Sequence, residues 1–194
     1  MAEYNTYKNM KILHNTPEHF VKYCVDLWEK TKEVVISKSE PNNYLYYAED
    51  EFIQYIGFES NELKEFIKDI FNVDAWGVMW VTSWPNAGMD HIHADRTRNV
   101  GINIPIAVDF DNSCFFIESA NQKCTEIPSK KGRRFKYEPE RYDWYNIRKP
   151  TIINADAPHG YFNHSNTRRV LLSITVNGKY EEVLAKLPPS LYTD

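Results

Sequence analysis

The segment from His91 to Asp95 places two imidazoles and a carboxylate at alternating positions, in the order His91, His93, Asp95. Imidazole and carboxylate groups are ligands for divalent metals of borderline and harder character. In an extended segment, alternate side chains point the same way, so these three would face one ligand together. The pattern indicates a metal site, although a polar strand end on the surface would give the same alternation.

Two further histidines, His159 and His164, lie just before a strand predicted over RVLLSITV, residues 169–176. If that strand is extended from Arg168 onward, its two faces differ in character. One face is plainly apolar, and Arg168 lies on that side and would extend its charged end to solvent. The other face is mostly polar and carries a cation, as a wall lining a ligand cavity would; it comprises Arg169, Leu171, Ser173 and Thr175.

The segment NVGINIPIAVDF, residues 99–110, shows a similar contrast between its two faces. Its apolar face carries Val100 and alternate residues to Val108, whereas the opposite face is small and includes one amide, Asn103. Two strands of this kind suggest a barrel with room inside. The remaining histidines, His14 and His19, lie in a helical part of the sequence, where surface or capping roles are expected.

The elements that must position these residues divide the chain into a helical part and a strand-rich part. Thr16-Pro17 predicts the start of a helix that runs to about Val34, and Ser60 can cap a second helix with an apolar stripe from Leu63 to Phe71. From residue 76 onward the pattern changes to period two, over the segments 76–84, 99–110, 113–118, 150–155 and 169–176. This order predicts an α+β, mainly β fold in a single domain of residues 1–194, with a helical part (1–75), a β core (76–177) and a C-terminal helix and tail (178–194).

The order His93-Ala94-Asp95, then His159, then Arg169 ten residues after His159, resembles the H-x-D…H…R pattern of Fe(II)- and 2-oxoglutarate-dependent oxygenases. HADRTRNVGINIPI and INADAPHGYFNHSNTRRVLLSI are similar to the two ligand-bearing segments of that superfamily, particularly of its short bacterial and phage members. The resemblance covers roughly residues 76–177. It implies a double-stranded β-helix, the jelly-roll or cupin-like barrel, with the N-terminal helices packed on it.

The resemblance also implies roles for individual residues. His93, Asp95 and His159 would bind Fe(II) as a 2-His-1-carboxylate triad, and Arg169 would hold the far carboxylate of the cosubstrate 2-oxoglutarate. Asn103 and Ser173 would make secondary cosubstrate contacts. With O2 as co-reactant, the reaction would release succinate and CO2 and hydroxylate a primary substrate. Family members that halogenate carry a small residue in place of the aspartate, so Asp95 favours hydroxylation.

Two alternatives remain open from the sequence, a metal-dependent hydrolase and a non-catalytic barrel, whereas a cupin site does not fit. A metal-dependent hydrolase is the strongest, because HIHADR also resembles the H-x-H-x-D-H motif of metallo-β-lactamase-fold enzymes, but Arg96 stands where that motif has its last histidine. A cupin would need a glutamate that residues 94–98 do not supply. A non-catalytic metal-binding barrel would keep the fold without turnover.

The composition excludes some classes of binding partner but does not identify the primary substrate. The net charge of −4 argues against broad binding to nucleic acid or anionic membranes, and no apolar run approaches the roughly 20 residues that span a bilayer. Three cysteines without CxxC spacing predict a reducing, cytoplasmic setting. The primary substrate, a protein side chain, an amino acid or a small metabolite, is not specified.

Two regions near the predicted site are ambiguous in the sequence. The basic, aromatic segment 128–149 is favoured as a solvated loop, with a flap that attracts an anionic substrate as the alternative. Arg96 and Arg98 are predicted to be solvated rather than substrate-binding, and His91 and His164 to lie outside the ligand set.

Overall fold

The computed structural model describes residues 7–37, 46–49, 53–89, 92–95, 98–130 and 132–193. Its three helices are α1 (Glu18–Ser37), α2 (Asn61–Phe71) and α3 (Tyr180–Leu184). The strands are β1 (Met10–Ile12), β2 (Tyr46–Glu49), β3 (Ile53–Phe58), β4 (Ala75–Ser83), β5 (Gly88–Met89), β6 (Val100–Ala107), β7 (Ser113–Glu118), β8 (Glu126–Ile127), β9 (Arg134–Phe135), β10 (Tyr142–Tyr145), β11 (Thr151–Asn154), β12 (His159–Asn163) and β13 (Arg169–Val176).

The strands form two main antiparallel sheets. The large sheet has the order β1-β11-β6-β13-β4-β3-β2, and the small sheet has the order β10-β7-β12-β5. The hairpin β8–β9 forms a further two-stranded piece. β13 lies in the middle of the large sheet, where it pairs along its length with both β4 and β6, so its side chains are fixed on either face.

The outer face of the large sheet is covered by the helices. Phe20, Cys24 and Trp28 of α1 are buried there, and Leu63, Ile67 and Phe71 of α2 join the same apolar cluster. The sheet contributes the following buried residues: Val78, Trp80, Val100, Ile102, Ile104, Ile152, Val170, Leu172, Ile174 and Val176. The predicted apolar faces of β6 and β13 are therefore the faces that the helices cover.

The inner face of the large sheet packs on the small sheet. Phe115 and Tyr161 from the small sheet share a buried cluster with Val81, Ile153 and Leu171 from the large one. A third, smaller cluster on the outer side of the small sheet includes Phe116, Phe135 and Tyr142. The space left between the two main sheets holds the candidate site.

Local hydrogen bonds determine where α1 and α2 begin. Ser60 caps α2 as predicted, because its hydroxyl accepts a hydrogen bond from the Leu63 backbone N–H at 3.2 Å. α1 begins differently from the prediction: the Thr16 hydroxyl donates to the Leu13 carbonyl, and Pro17 supplies the first carbonyl acceptor, for Phe20 and Val21. α1 ends at Ser37, three residues beyond the predicted Val34.

Strand content exceeds the sequence-based prediction. The first 75 residues are not wholly helical, because β2 and β3 form a hairpin that extends the large sheet through pairing of β3 with β4. β12, which begins at His159, was also not predicted as a strand. The segment 128–149 is not a solvated loop: it contains β9 and β10, and Phe135, Tyr142 and Ile147 are buried.

Within the described ranges, none of the helices is long and apolar enough to cross a membrane. Cys24 and Cys114 are buried free thiols, and Cys124 is a partly buried one.

Candidate metal centre

Backbone pairing brings the two predicted histidine ligands side by side. His93 and His159 form an antiparallel bridge, in which the His93 N–H donates to the His159 carbonyl at 2.9 Å and the His159 N–H donates to the His93 carbonyl at 2.8 Å. Their ring centroids are 4.7 Å apart. The Asp95 N–H donates to the Ala155 carbonyl at 2.9 Å, which fixes the third residue in the same extended segment.

The alternation predicted for residues 92–95 holds. Ile92 and Ala94 are buried in the cluster on the outer side of the small sheet, whereas His93 and Asp95 line the cavity between the sheets. One ligand atom from each of His93, Asp95 and His159 lies within 4.8 Å of the other two, and the His93 Nε2 to Asp95 Oδ1 distance is 3.6 Å. The structure thus brings together the three side chains that the sequence singled out as ligands.

His159 is prepared to act as a ligand through Nε2. Its Nδ1 lies 2.8 Å from the Ala157 carbonyl oxygen, which can only accept, so Nδ1 carries the proton and Nε2 keeps its lone pair. Burial, followed by the neighbouring His93, lowers the pKa of His159 to about 4. The ring is therefore neutral at pH 7, the form that binds metal.

Asp95 is ionised and oriented by Arg98. Burial alone would raise the pKa of Asp95, but the neighbouring Arg98, through its positive charge and its hydrogen bond, outweighs burial together with smaller contributions from His159 and His93, and the pKa is held below its usual value. Arg98 Nε donates to Asp95 Oδ2 at 2.6 Å, and Arg98 Nη1 donates to Ser173 Oγ at 2.6 Å. Ser173 Oγ in turn donates to Asn103 Oδ1 at 2.8 Å.

This chain of hydrogen bonds corrects one prediction and refines another. Arg98 is not solvated, because its side chain is 16% exposed and is held by Asp95 and Ser173. Ser173 and Asn103 both line the cavity as predicted, but the Ser173 hydroxyl hydrogen is already used. Among the described residues, the Asn103 amide nitrogen has no acceptor, so Asn103 is the one of the two with donors available. His91 and Arg96 lie outside the described residues.

A cavity of about 760 Å³ extends from these residues along the inner face of the large sheet. β13 lines it with the predicted face, which comprises Arg169, Leu171, Ser173 and Thr175. Arg169 is 2% exposed, and its guanidinium lies over the Tyr161 ring, 4.3 Å from the centroid. The predicted strand phase is confirmed, and it puts a buried cation in the same cavity as the histidine and aspartate side chains.

Other predicted residues lie away from the cavity. Arg168 does point to the opposite face from Arg169, but instead of reaching solvent it is half-buried, donates to Gln54 Oε1 at 2.7 Å and stacks over Trp84. His164 is exposed and contacts Phe162, and His19 is exposed beside Phe66.

Arg98, Arg134 and Tyr161 also line the cavity, and none of the three was predicted to do so. Arg98 had a visible signal, a cation three residues after a candidate ligand, but its partners depend on how β6 and β13 pair. Arg134 had no local signal, because it reaches the cavity only through the pairing of β9 with His93. Tyr161 could have been inferred by alternation from His159 had β12 been recognised as a strand.

A scan against protein-family models gave no match, and neither did a search of curated protein sequences. Solved structures, in contrast, are similar in fold. SnoK, a non-heme alpha ketoglutarate dependent carbocyclase from nogalamycin biosynthesis, aligns with a TM-score of 0.53 at 12% identity, over 89% of this chain and 85% of SnoK. The epimerase SnoN, whose crystal contains Fe3+ and alpha ketoglutarate, aligns with a TM-score of 0.52 at 8% identity, over 85% and 76%.

HygX from Streptomyces hygroscopicus, crystallised with nickel, 2-oxoglutarate and hygromycin B, aligns with a TM-score of 0.51 at 8% identity, over 86% of this chain and 81% of HygX. At such identities the likeness establishes architecture rather than activity. The fold predicted from the sequence is confirmed: the chain is a mainly β protein with the double-stranded β-helix fold and helices packed on the large sheet.

Proposed function

We propose that this protein is an Fe(II)- and 2-oxoglutarate-dependent dioxygenase that hydroxylates a protein side chain, an amino acid or a small metabolite. The observation that carries the proposal is the gathering of His93, Asp95 and His159 in one cavity whose wall also carries the buried Arg169. The similar fold of three proteins that bind 2-oxoglutarate or depend on it supports the proposal.

The three side chains fit Fe(II) by the chemistry of their donor atoms. Two imidazoles and one carboxylate, converging from one side, are the donor set typical of non-heme iron oxygenases. His159 is neutral with Nε2 available, and Asp95 is ionised with Oδ1 directed toward His93. No thiol is present among them, which disfavours a soft-metal site.

Iron bound there with 2-oxoglutarate and O2 would supply oxidative decarboxylation, giving succinate and CO2, and hydroxylation of a nearby C–H bond. The chain's own residues would bind and orient. Arg169 offers a planar fork of donors suited to the far carboxylate of 2-oxoglutarate, and its contact with the Tyr161 ring holds the guanidinium in place. Asn103 would donate a further hydrogen bond to the cosubstrate.

Burial in the cavity serves the same chemistry. Arg169 and His159 are almost fully buried, so a carboxylate that reaches them loses water and gains charge-assisted hydrogen bonds in a low-dielectric setting. A hydrolase that used the same three ligands would have no use for a buried arginine of this kind, which is why the oxygenase is the better supported of the two.

The experiment measures succinate release from 2-oxoglutarate by the Fe(II)-loaded protein. We expect Asp95→Ala to lose turnover, because the two remaining histidine ligands hold iron poorly. Circular dichroism should show that this variant is still folded. We expect Arg169→Ala to raise the 2-oxoglutarate concentration needed for half-maximal turnover at least tenfold. Arg168→Ala is the matched control, since Arg168 lies on the opposite face of the sheet. Full turnover in Asp95→Ala would contradict the proposal.

We further propose that residues 1–194 act as one domain and that the protein belongs with the short bacterial and phage-type members of the superfamily. We also propose that it works in a reducing cytoplasm without a nucleic-acid or membrane partner.

A further inference from the structure

The charged side chains that line the cavity fall into groups with different partners. Asp95 is paired with Arg98, and Glu59, at the cavity edge, is paired with Lys64. Arg169 is the cation that the proposed function assigns to 2-oxoglutarate. The remaining charged residue is Arg134, for which the described part of the chain offers neither a carboxylate partner nor a side-chain hydrogen bond. Because a half-buried charge is costly without a counter-ion, a cation of this kind in a ligand cavity favours an anionic ligand.

Backbone pairing directs Arg134 into the cavity beside the candidate metal ligands. His93 is bridged to His159 on one side and to Arg134 on the other, so His159, His93 and Arg134 form a row across three neighbouring segments. Residues directly opposite each other in antiparallel pairs point to the same face, with Cβ atoms about 5 Å apart. The Phe135 N–H donates to the Ile92 carbonyl at 3.0 Å, which fixes this register.

The adjacent residue, Arg133, shows how an arginine in the same hairpin behaves when it faces outward. Arg133 is exposed, its guanidinium is paired with Glu126 across the hairpin at 3.3 Å, and it lies over the Phe135 ring. Alternation therefore places Arg133, with its carboxylate partner, on the solvent side, and Arg134, which has no such partner among the described residues, on the cavity side. The basic segment 128–149 thus contributes one specific cation to the site rather than a diffuse positive charge.

We infer that Arg134 binds an anionic oxygen group, carboxylate or phosphate, on the primary substrate and so holds it next to the metal-binding side chains. The inference rests on the proposed function, because it takes Arg169 to be occupied by 2-oxoglutarate. Guanidinium suits both anions, since each presents two coplanar acceptor oxygens to its fork of donors. Neutral substrates are disfavoured, because they would leave the Arg134 charge partly buried without a counter-ion.

The test uses two small anions as probes, inorganic phosphate and acetate. The full-length protein is loaded with Mn(II) and saturating 2-oxoglutarate, and broadening of the probe's ³¹P or ¹³C resonance by the bound Mn(II) is measured. We expect broadening in the wild type and in Arg133→Gln, and a loss of at least fivefold in Arg134→Gln. Broadening of either probe that requires Arg134 supports the inference, and the probe with the tighter Arg134-dependent binding identifies the anion.

Two results would overturn the inference. One is equal broadening in Arg134→Gln and the wild type, or none in the wild type. The other is a loss of 2-oxoglutarate affinity in Arg134→Gln, measured by calorimetry in the same samples, because Arg134 would then serve the cosubstrate. If no sample binds 2-oxoglutarate, the proposed function is wrong, whatever the role of Arg134. Calorimetric titration of phosphate into the metal-free protein then still compares the phosphate affinity of Arg134→Gln with that of Arg133→Gln.

Discussion

The two oxygens of the Asp95 carboxylate have different neighbours. Oδ2 accepts a hydrogen bond from Arg98 Nε at 2.6 Å, and Oδ1 lies 3.6 Å from His93 Nε2. Arg98 is itself held in place by Ser173. Arg98 therefore occupies one oxygen and leaves the other for a metal, as residues outside the ligand set commonly do when they orient a ligand.

Replacing Arg98 tests this orienting contact. We expect Arg98→Gln to weaken Mn(II) or Fe(II) binding by about tenfold to a hundredfold, because the loss of such outer partners typically costs that much. Anaerobic calorimetry measures the affinity, and Arg133→Gln, an exposed arginine with its own carboxylate partner, is the control. Unchanged affinity in Arg98→Gln would mean that Asp95 needs no outside support.

His159 makes the stability of the metal-free protein depend on pH. Its pKa is about 4 in the folded protein and about 6.5 in an unfolded chain, so the unfolded state binds more protons between these values. The free energy of unfolding should fall as the pH is lowered from about 6.5 to 4, by at most about 1.4 kcal/mol per pH unit from this group. Urea unfolding at several pH values should show a shallower dependence in His159→Gln, and equal slopes would contradict the assignment.

Alternation was enough to predict which site residues share a face. It placed His93 with Asp95 and Arg169 with Ser173, and the structure confirms both pairings. It could not predict that Arg98 joins Asp95 to Ser173, because that contact spans 75 residues and depends on the register between β6 and β13. Side-chain contacts between distant elements have no local sequence signal.

At the scale of elements, β12 shows why the segment that carries His159 was hard to recognise. Its sequence, HGYFN, contains glycine and asparagine, which are rare in strands. The structure shows what the glycine provides. Gly160 lies opposite Phe116 in β7, and a Cβ added at Gly160 would lie 2.7 Å from Phe116 Cζ. The missing side chain makes room for the ring that packs behind the candidate metal centre.

Gly160→Ala is therefore expected to be destabilising. Phe116 is fully buried and has little freedom to move, so the added methyl group should lower the free energy of unfolding by about 1–3 kcal/mol. Gly77→Ala in β4 is the matched control, because a Cβ there meets nothing within 4 Å. Chemical denaturation measures both variants. Equal stability of Gly160→Ala and the wild type would mean that β12 and Phe116 are more loosely packed than the structure shows.

The hairpin β2–β3 was missed for a related reason. It follows a polar, turn-forming segment, and β3 mixes residues of both characters, with Tyr55 facing the cavity and Gln54 buried on the other side. Gln54 accepts a hydrogen bond from Arg168, which explains a polar residue at that position. Tyr55 by itself favours a strand, but the polar Gln54 beside it, on the buried outer face, obscures the alternation of apolar and polar residues.

In the whole molecule, the positions of the helices and of the cavity follow from the two different faces of β6 and β13. Their apolar faces are covered by α1 and α2, and their polar or small faces are turned toward the small sheet. The central strands of the large sheet, with continuous apolar alternation, were predicted well. In the small sheet, β7 was predicted but β5, β10 and β12 were not, since these three strands are short and emerge from segments rich in turn formers.

An anaerobic absorption spectrum shows whether the chain binds Fe(II) and 2-oxoglutarate together. Fe(II) and then 2-oxoglutarate are added to the metal-free protein, and the visible absorbance is recorded. We expect a new charge-transfer band in the wild type that is absent in Asp95→Ala and requires more 2-oxoglutarate in Arg169→Ala. Tight metal binding with no band at any 2-oxoglutarate concentration would contradict the proposed function.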